Sequence, residues 1–435
     1  MKIFVLKYTV LTWVTIMAMI IIALVPFHAF LTVWGSSTFG HYTALRLWKE
    51  VLLLLSVVAV LYILAIDHKT RNHTLTRRLV WLILAYMGLT FLLGAIAYSR
   101  HTVGVKALGY GLVSDLRYLA FFLVTWAAAL RLDRLRANWS RLVLIPAMIV
   151  VIFGILQIFI LPHDVLRHFG YGPRTIPAFE TINSNKQYYR IMSTLRGANP
   201  LGAYMVIPIT ALTVLIVRSG LNWRRILALA GSVLVLFFSF SRSAWIGTAI
   251  SVALVLSIAL KAQRMRRLFL VATALIFILG AGLVLGLRNN TRVENFVFHT
   301  QTHSAVKTTS DQGHLTATKN GLIDLIHQPF GRGPGTAGPA SVYTPHPRIA
   351  ENYYVQIGQE TGWLGMALFV LINIGVGYLL WLRRSDPLAL TLFASLIGLT
   401  FINMLSHAWA DDTLAYIWWG LAGIAMVQLP GKNEK

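Results

Sequence analysis

Glu351, at the head of the stretch Glu351-Asn352-Tyr353-Tyr354, is a carboxylate standing where a helix begins. Held there, a carboxylate can accept a proton from a sugar hydroxyl. The same position suits an acid that only caps a helix N-terminus, so both roles stay open. Five residues earlier His346, between Pro345 and Pro347, is the second candidate base. Asn352, Gln356 and Gln359 then fall at i, i+4 and i+7, one polar face of a helix at a membrane interface or in a wet cavity. Asn352, Tyr353 and Tyr354, with Arg117 far upstream, are assigned to a substrate cavity, the aromatic rings being suited to stacking on sugars.

A second chemistry is carried by arginines. Arg190 and Arg196 precede Asn199-Pro200, which reads as a helix N-cap and first helical residue, and Arg242 stands between Ser241 and Ser243 where another helix begins. A helix N-terminus favours an anion, and guanidinium gives bidentate bonds to phosphate oxygens. Arg190, Arg196 and Arg242 are therefore read as a diphosphate cradle. The competing reading is arginine snorkelling to lipid headgroups.

Composition says what must position these residues. Apolar residues make up 57% of 435 and charged residues 12%, against about 25% charged in soluble domains. Mean hydropathy is +0.67. This is an all-α polytopic membrane protein, and the net charge of +23 is a matter of topology and not of nucleic acid. Without cysteine there is no disulfide, thiolate metal site or cysteine nucleophile. Neither a Walker motif nor a dinucleotide fingerprint is present. His299 and His303 are spaced four apart but lack a third ligand, so no metal and no cofactor are expected.

At about 20 residues per span, about 12 transmembrane helices are expected, near 8–26, 43–66, 79–98, 107–130, 142–161, 200–217, 225–239, 243–260, 268–287, 362–382, 388–404 and 412–429. The polar break at 239–243 divides what would otherwise be one long helix. Lys and Arg concentrate in alternate connections, among them Lys7, Arg131, Arg136, Arg218, Arg383 and Arg384, so both termini are expected in the cytoplasm. Residues 1–287 then form nine spans with an outer loop at 162–199. Residues 288–361 form a large extracytoplasmic loop with a short interfacial helix, and residues 362–435 form the last three spans and a cytoplasmic tail. Within the membrane, Glu50 with Arg46, and Asp115 with a neighbouring cation, are natural pairs.

The motifs in order, Arg196-Gly-Ala-Asn-Pro-Leu-Gly202, Ser241-Arg-Ser243, the glycines of Pro329-Phe-Gly-Arg-Gly-Pro-Gly335, Asn352-Tyr353-Tyr354 and Glu360-Thr-Gly-Trp-Leu-Gly365, resemble the O-antigen ligase and O-antigen polymerase family. The resemblance implies a GT-C-like, metal-independent, inverting glycosyltransferase of the plasma (inner) membrane with an extracytoplasmic active site. Its donor would be an undecaprenyl-diphosphate-linked glycan and its acceptor a glycan, lipid or protein. It also implies that Arg196 and Arg242 grip the diphosphate. Where the ligase pattern has a histidine base, Glu351 stands here. Ligase and polymerase remain open, and a flippase for the same lipid-linked sugars is the reading from another class.

Overall fold

The computed structural model describes residues 2–75, 77–182, 185–260, 262–287, 290 and 310–427. His299 and His303 lie outside these. The longer helices, numbered in chain order, are α1 (Lys2–Leu24), α2 (His28–Phe39), α3 (Trp48–Ile66), α4 (Arg78–Ser99), α5 (Val105–Ala129), α6 (Trp139–Phe159), α7 (Ala198–Ser219), α8 (Trp223–Phe238), α9 (Arg242–Ala259), α10 (Gln263–Gly286), α11 (Ser310–His327), α12 (Tyr353–Leu382), α13 (Pro387–Leu405) and α14 (Asp412–Ala425).

Among the described residues nine helical segments are long and apolar enough to cross a membrane. They are α3, α4, α5, α6, α7, α9, α12, α13 and a composite of α1 and α2 over Leu6–Phe39. The expected loop after residue 26 is thus helical: Pro26 sits at the start of a single 3-10 turn, where its missing N–H removes no required bond, and the helix resumes at His28. α8, α10 and α14 stand where three more spans are expected. Two of them are short, α8 with 16 residues and α14 with 14. The break between α8 and α9 falls at 239–241, the polar Ser-Phe-Ser step. The segment 162–199 adds one departure from an all-helical chain, a hairpin of β1 (Glu180–Ile182) and β2 (Asn185–Arg190) that pairs Glu180 with Arg190.

α14 is the buried axis of the bundle, with every residue from Thr413 to Ala425 inside. Gly420 and Gly423 let it lie directly against α5, because a Cβ there would strike Phe121 and the Phe122 carbonyl. At one end of the bundle Lys7 and Arg131 share Asp67 at 2.7 and 3.0 Å. There Arg136 meets Asp386 at 2.8 Å, and Arg383 and Arg218 donate to the Ala425 and Arg384 carbonyls. All five cations belong to connections that the charge pattern puts on one side.

The Gly-Arg-Gly-Pro-Gly segment returns into the bundle. α12 breaks at Gly362, whose φ of 71° and ψ of −174° leave helical space. The carbonyls and N–H freed by the break are taken up by the returning chain: Arg332 and Gly333 N–H donate to Gln359 and Glu360 carbonyls, and Trp363 N–H donates to the Pro329 carbonyl. Residues 333–338 are buried against α4 and α5. Gly335 has φ +85°, and a Cβ on it would collide with the Ala107 carbonyl oxygen. A left-handed φ alone costs a non-glycine residue about 1–3 kcal/mol. Gly335→Ala should therefore clearly lower the thermal unfolding temperature in nanodiscs, whereas Gly104→Ala, where a Cβ meets nothing within 4 Å, should leave it nearly unchanged.

Candidate active site

Four charges from three helices, Lys49 and Arg117 buried and Glu50 and Asp412 partly so, meet near the start of α14. Arg117 of α5 pairs with Asp412, lies 3.4 Å from Glu50 and donates to the Ala410 carbonyl at 3.0 Å. Lys49 of α3 reaches Asp412 at 2.9 Å and Glu50 at 3.0 Å, and His28 lies 3.3 Å from Asp412. Two cations thus offset two carboxylates. Arg117, assigned to the substrate cavity from sequence, is buried in this network. The expected Glu50–Arg46 pair does not form, because Leu47 interrupts the helix and turns Arg46 toward the Tyr110 hydroxyl. Nor does Asp115 meet a cation. It meets Glu360, since Arg117, two positions on, points to another face of α5.

At 1.5 Å per residue, the 14 residues of α14 rise about 21 Å, less than the roughly 30 Å hydrocarbon layer. Asp411 and Asp412 are therefore recessed from the surface opposite the cationic end. Asp411 caps α14 by accepting from Thr413 and Leu414 N–H at 3.0 and 3.3 Å, and its other oxygen accepts from Arg196 Nε at 2.7 Å. Within Ile191–Ala198, Arg196 alone is exposed. Its turn is pinned from below: Ser193, at φ 49°, donates its N–H to Gln157 and its hydroxyl to the Val150 carbonyl, and Thr194 bonds the Pro26 carbonyl.

Arg190 and Arg242 belong to a neighbouring pair of helix starts. The expected N-cap, Asn199, lies inside the first turn of α7, and Gly197 takes the cap position. Asn199 accepts instead from Arg190 at 2.6 Å, while Glu180 accepts from Ala198 N–H at 3.2 Å. Arg190 also donates to the Ser239 carbonyl and lies 3.5 Å from Glu180. It is a clamp between the hairpin, α7 and the Ser239–Ser241 turn, and Glu180 already serves the N-terminus of α7. Gly202 lets α7 pack against that turn, since a Cβ there would come within 2.7 Å of the Ser241 side chain. Arg242 opens α9, near enough to Arg190 to oppose its charge.

Glu351 has φ 53° in the turn before α12. Its Oε2 lies 3.4 Å from His314 Nδ1 on α11 and 3.9 Å from His407 Nδ1 in the α13–α14 connection. The His314 hydrogen bond, working against partial burial and helped by the His407 charge, holds the Glu351 carboxyl below its ordinary range. Burial pushes the His407 imidazole down, with Glu351 opposing and Arg196 adding to the shift. Glu351 is thus an ionised acceptor beside the His407 imidazole, which in turn senses Arg196. His346 is exposed, and among the described residues it makes no hydrogen bond or ion pair with them. Asn352 caps α12 through Val355 N–H and donates to the Met404 carbonyl. Tyr353 is buried, its hydroxyl 3.0 Å from that of Tyr118. Tyr354 instead lines a groove of about 470 Å³ between α12 and α13, with Asn373, Gly377, Trp381, Thr400 and Met404.

The structure therefore brings Glu351 and Arg196 to one recess through His407 and Asp411, and sets Arg190 and Arg242 beside it. His314, His407, Glu180 and the two aspartates were not legible as site residues. Only the tandem acids before the last apolar run carried a signal, that of a helix start. Among the described residues no group of three or more His, Cys, Asp or Glu side chains is placed to hold a metal ion.

Residues 226–370 match the family model described as O-antigen ligase. The match contains Arg242, His314 and Glu351 and ends before His407 and Asp411. No match was found among curated proteins.

Two outcomes follow from this geometry. Removing one partner of a buried ion pair costs about 3–5 kcal/mol, so Arg117→Met should destabilise the chain by that order in chemical unfolding, whereas exposed Arg196→Met should not. Glu351, with its folded pKa lowered, adds stability that is full above the 4.5 of an ordinary glutamate and fades as pH falls through the folded value. Thermal scans from neutral to acid pH should show a steeper loss for wild type than for Glu351→Gln.

Proposed function

We propose, from the premise that this chain carries the O-antigen ligase family's domain at residues 226–370, that it transfers a glycan from an undecaprenyl-diphosphate carrier to an acceptor hydroxyl on the outer face of the plasma membrane. The observation that carries the reading is the exposed side chain of Arg196, held by Asp411 before α14 and sensed by the His407 that meets Glu351. Arg196 binds the diphosphate and offsets the charge that grows on it as it leaves. Arg242 extends that anion site, and Arg190 holds the two helix starts that present it. Glu351 takes the proton of the acceptor hydroxyl as its oxygen attacks the anomeric carbon. The bond from that carbon to the phosphate oxygen breaks, with inversion, and Glu351 passes its proton to water. No metal is required, because arginines neutralise the leaving group. The apolar groove lined by Tyr354 and Met404 offers a path for the isoprenoid tail toward the recess.

In this topology about twelve helices cross the membrane in a GT-C-like arrangement, with both termini in the cytoplasm. Ser341 is buried and unsuited to labelling, but Val342 is exposed, as is Asn222 at the opposite end. In this cysteine-free chain Val342→Cys should react with an impermeant thiol reagent in intact cells and Asn222→Cys only after permeabilisation; the reverse pattern would invert the site.

With purified protein in nanodiscs, Glu351→Gln should bind lipid-linked donor normally and turn over about 10²–10⁴-fold more slowly. Arg196→Lys should weaken donor binding and turnover together, since Lys keeps charge but loses the bidentate fork. Activity should persist in excess chelator. Near wild-type turnover in Glu351→Gln with a dead His346→Ala would assign the base to His346. A ligase and a polymerase differ in the acceptor, and the glycan profile of a deletion strain, with lost attachment or lost chain length, separates them.

A further inference from the structure

The recess does not use the most unusual pair of side chains in the bundle. Asp115 on α5 and Glu360 on α12 are each 1% exposed and lie within hydrogen-bonding reach of each other. One Glu360 oxygen, Oε1, accepts from Gly335 N–H at 2.8 Å and from Ala337 N–H at 3.3 Å. Its Oε2 and both oxygens of Asp115 are buried and meet no donor. The hydroxyl of Tyr86 on α4 is fully buried and electrostatically close to both acids, with the Thr90 side chain beside it.

The groups facing this pocket from each packed element are few. α4 supplies Tyr86, α5 supplies Tyr118 and Arg117, α12 supplies Tyr353, and the returning 333–338 chain supplies only backbone N–H. Arg117 is committed to Asp412 and Glu50. No cation therefore stands between the two carboxyl groups. Two carboxylates are acceptors only, and in contact within a low-dielectric interior they repel strongly. They hold together when one hydrogen lies between them.

We propose that Asp115 and Glu360 form a buried proton-binding site that holds one shared proton at neutral pH. The proton joins α5 to α12, removes one of two like charges, and leaves Glu360 Oε1 free to anchor the returning chain through two N–H groups. Asp115 and Glu360 are positioning residues for the wall that carries Gly338–Tyr343 and leads to Glu351. The inference does not depend on the reaction assigned above, and its test does not measure that reaction.

The test is infrared spectroscopy of the full-length chain in nanodiscs at neutral pH, before and after exchange into D2O. The expected result is the carbonyl stretch of a protonated carboxylic acid in wild type, lost in Asp115→Asn and lost in Glu360→Gln. Each amide supplies the missing donor as N–H, so both variants should fold with thermal stability near wild type; if one fails to fold, the other decides. Absence of the band from wild type, or its persistence in either folded variant, would overturn the proposal. So would a stabilisation of wild type by sodium chloride over choline chloride that either variant abolishes, which would make the occupant a metal cation.

Discussion

The neutralisation of Asp412 is the constraint on which the bundle depends. α14 is too short to reach both surfaces, so its first residue starts inside the membrane domain with a carboxylate. Left alone, that charge would be strongly unfavourable at such depth. Lys49, Arg117 and His28 meet it from α3, α5 and the start of α2, with Glu50 balancing the second cation. Those five contacts fix the rotation and height of three helices around α14. The adjacent Asp411 then faces the recess and holds Arg196. The same two-residue step makes one side of the helix start a closed electrostatic lock and leaves on the other side an exposed arginine held by Asp411.

The second support is the break in α12. A continuous helix there would have no unpaired backbone groups and nothing to receive the chain from Pro329 to Gly333. At Gly362 the ladder opens, and residues 329–333 close it again from outside. The long loop is in this way anchored at its end, so the turn carrying Glu351 hangs between two fixed points, the returning chain and the N-terminus of α12. Irregular backbone at this depth is tolerated because it is buried in protein.

Much of this was legible in the sequence. The apolar runs marked the helices, the polar Ser239–Ser241 step marked the break between α8 and α9, and the cation pattern agreed with which helix ends gather together. The Arg196, Arg242 and Glu351 segments each fell at a helix start. The partners of those residues were not legible, because Arg196 meets Asp411, 215 positions away, and Glu351 meets His314 and His407 from two other elements. Local patterns record a residue's own helix and carry no information on which distant carboxylate faces it. For that reason Arg117 and Tyr353 looked like cavity residues and proved to be buried contacts, and Asn199 looked like a cap until Glu180 arrived from the hairpin.

Backbone conformation separates the scaffold from the working residues in a way that composition does not. Ser193, Phe240 and Glu351 have φ of 49°, 50° and 53°. They stand three residues before Arg196, two before Arg242, and at the candidate base itself. A non-glycine residue in this region carries a strain of about 1–3 kcal/mol and persists only where its surroundings over-determine it. Here they do: Ser193 is tied to α6 by two hydrogen bonds, Phe240 packs among Phe237, Phe238 and Trp245, and Glu351 is held by His314 and followed by the Asn352 cap. His41 and His101 share the conformation in turns between helices, so strain alone does not mark a site. What distinguishes the three is that each stands at, or two to three residues before, one of the candidate residues Arg196, Arg242 and Glu351. There a rigid, buried surround sets the direction of a group that an ordinary loop would leave free to rotate.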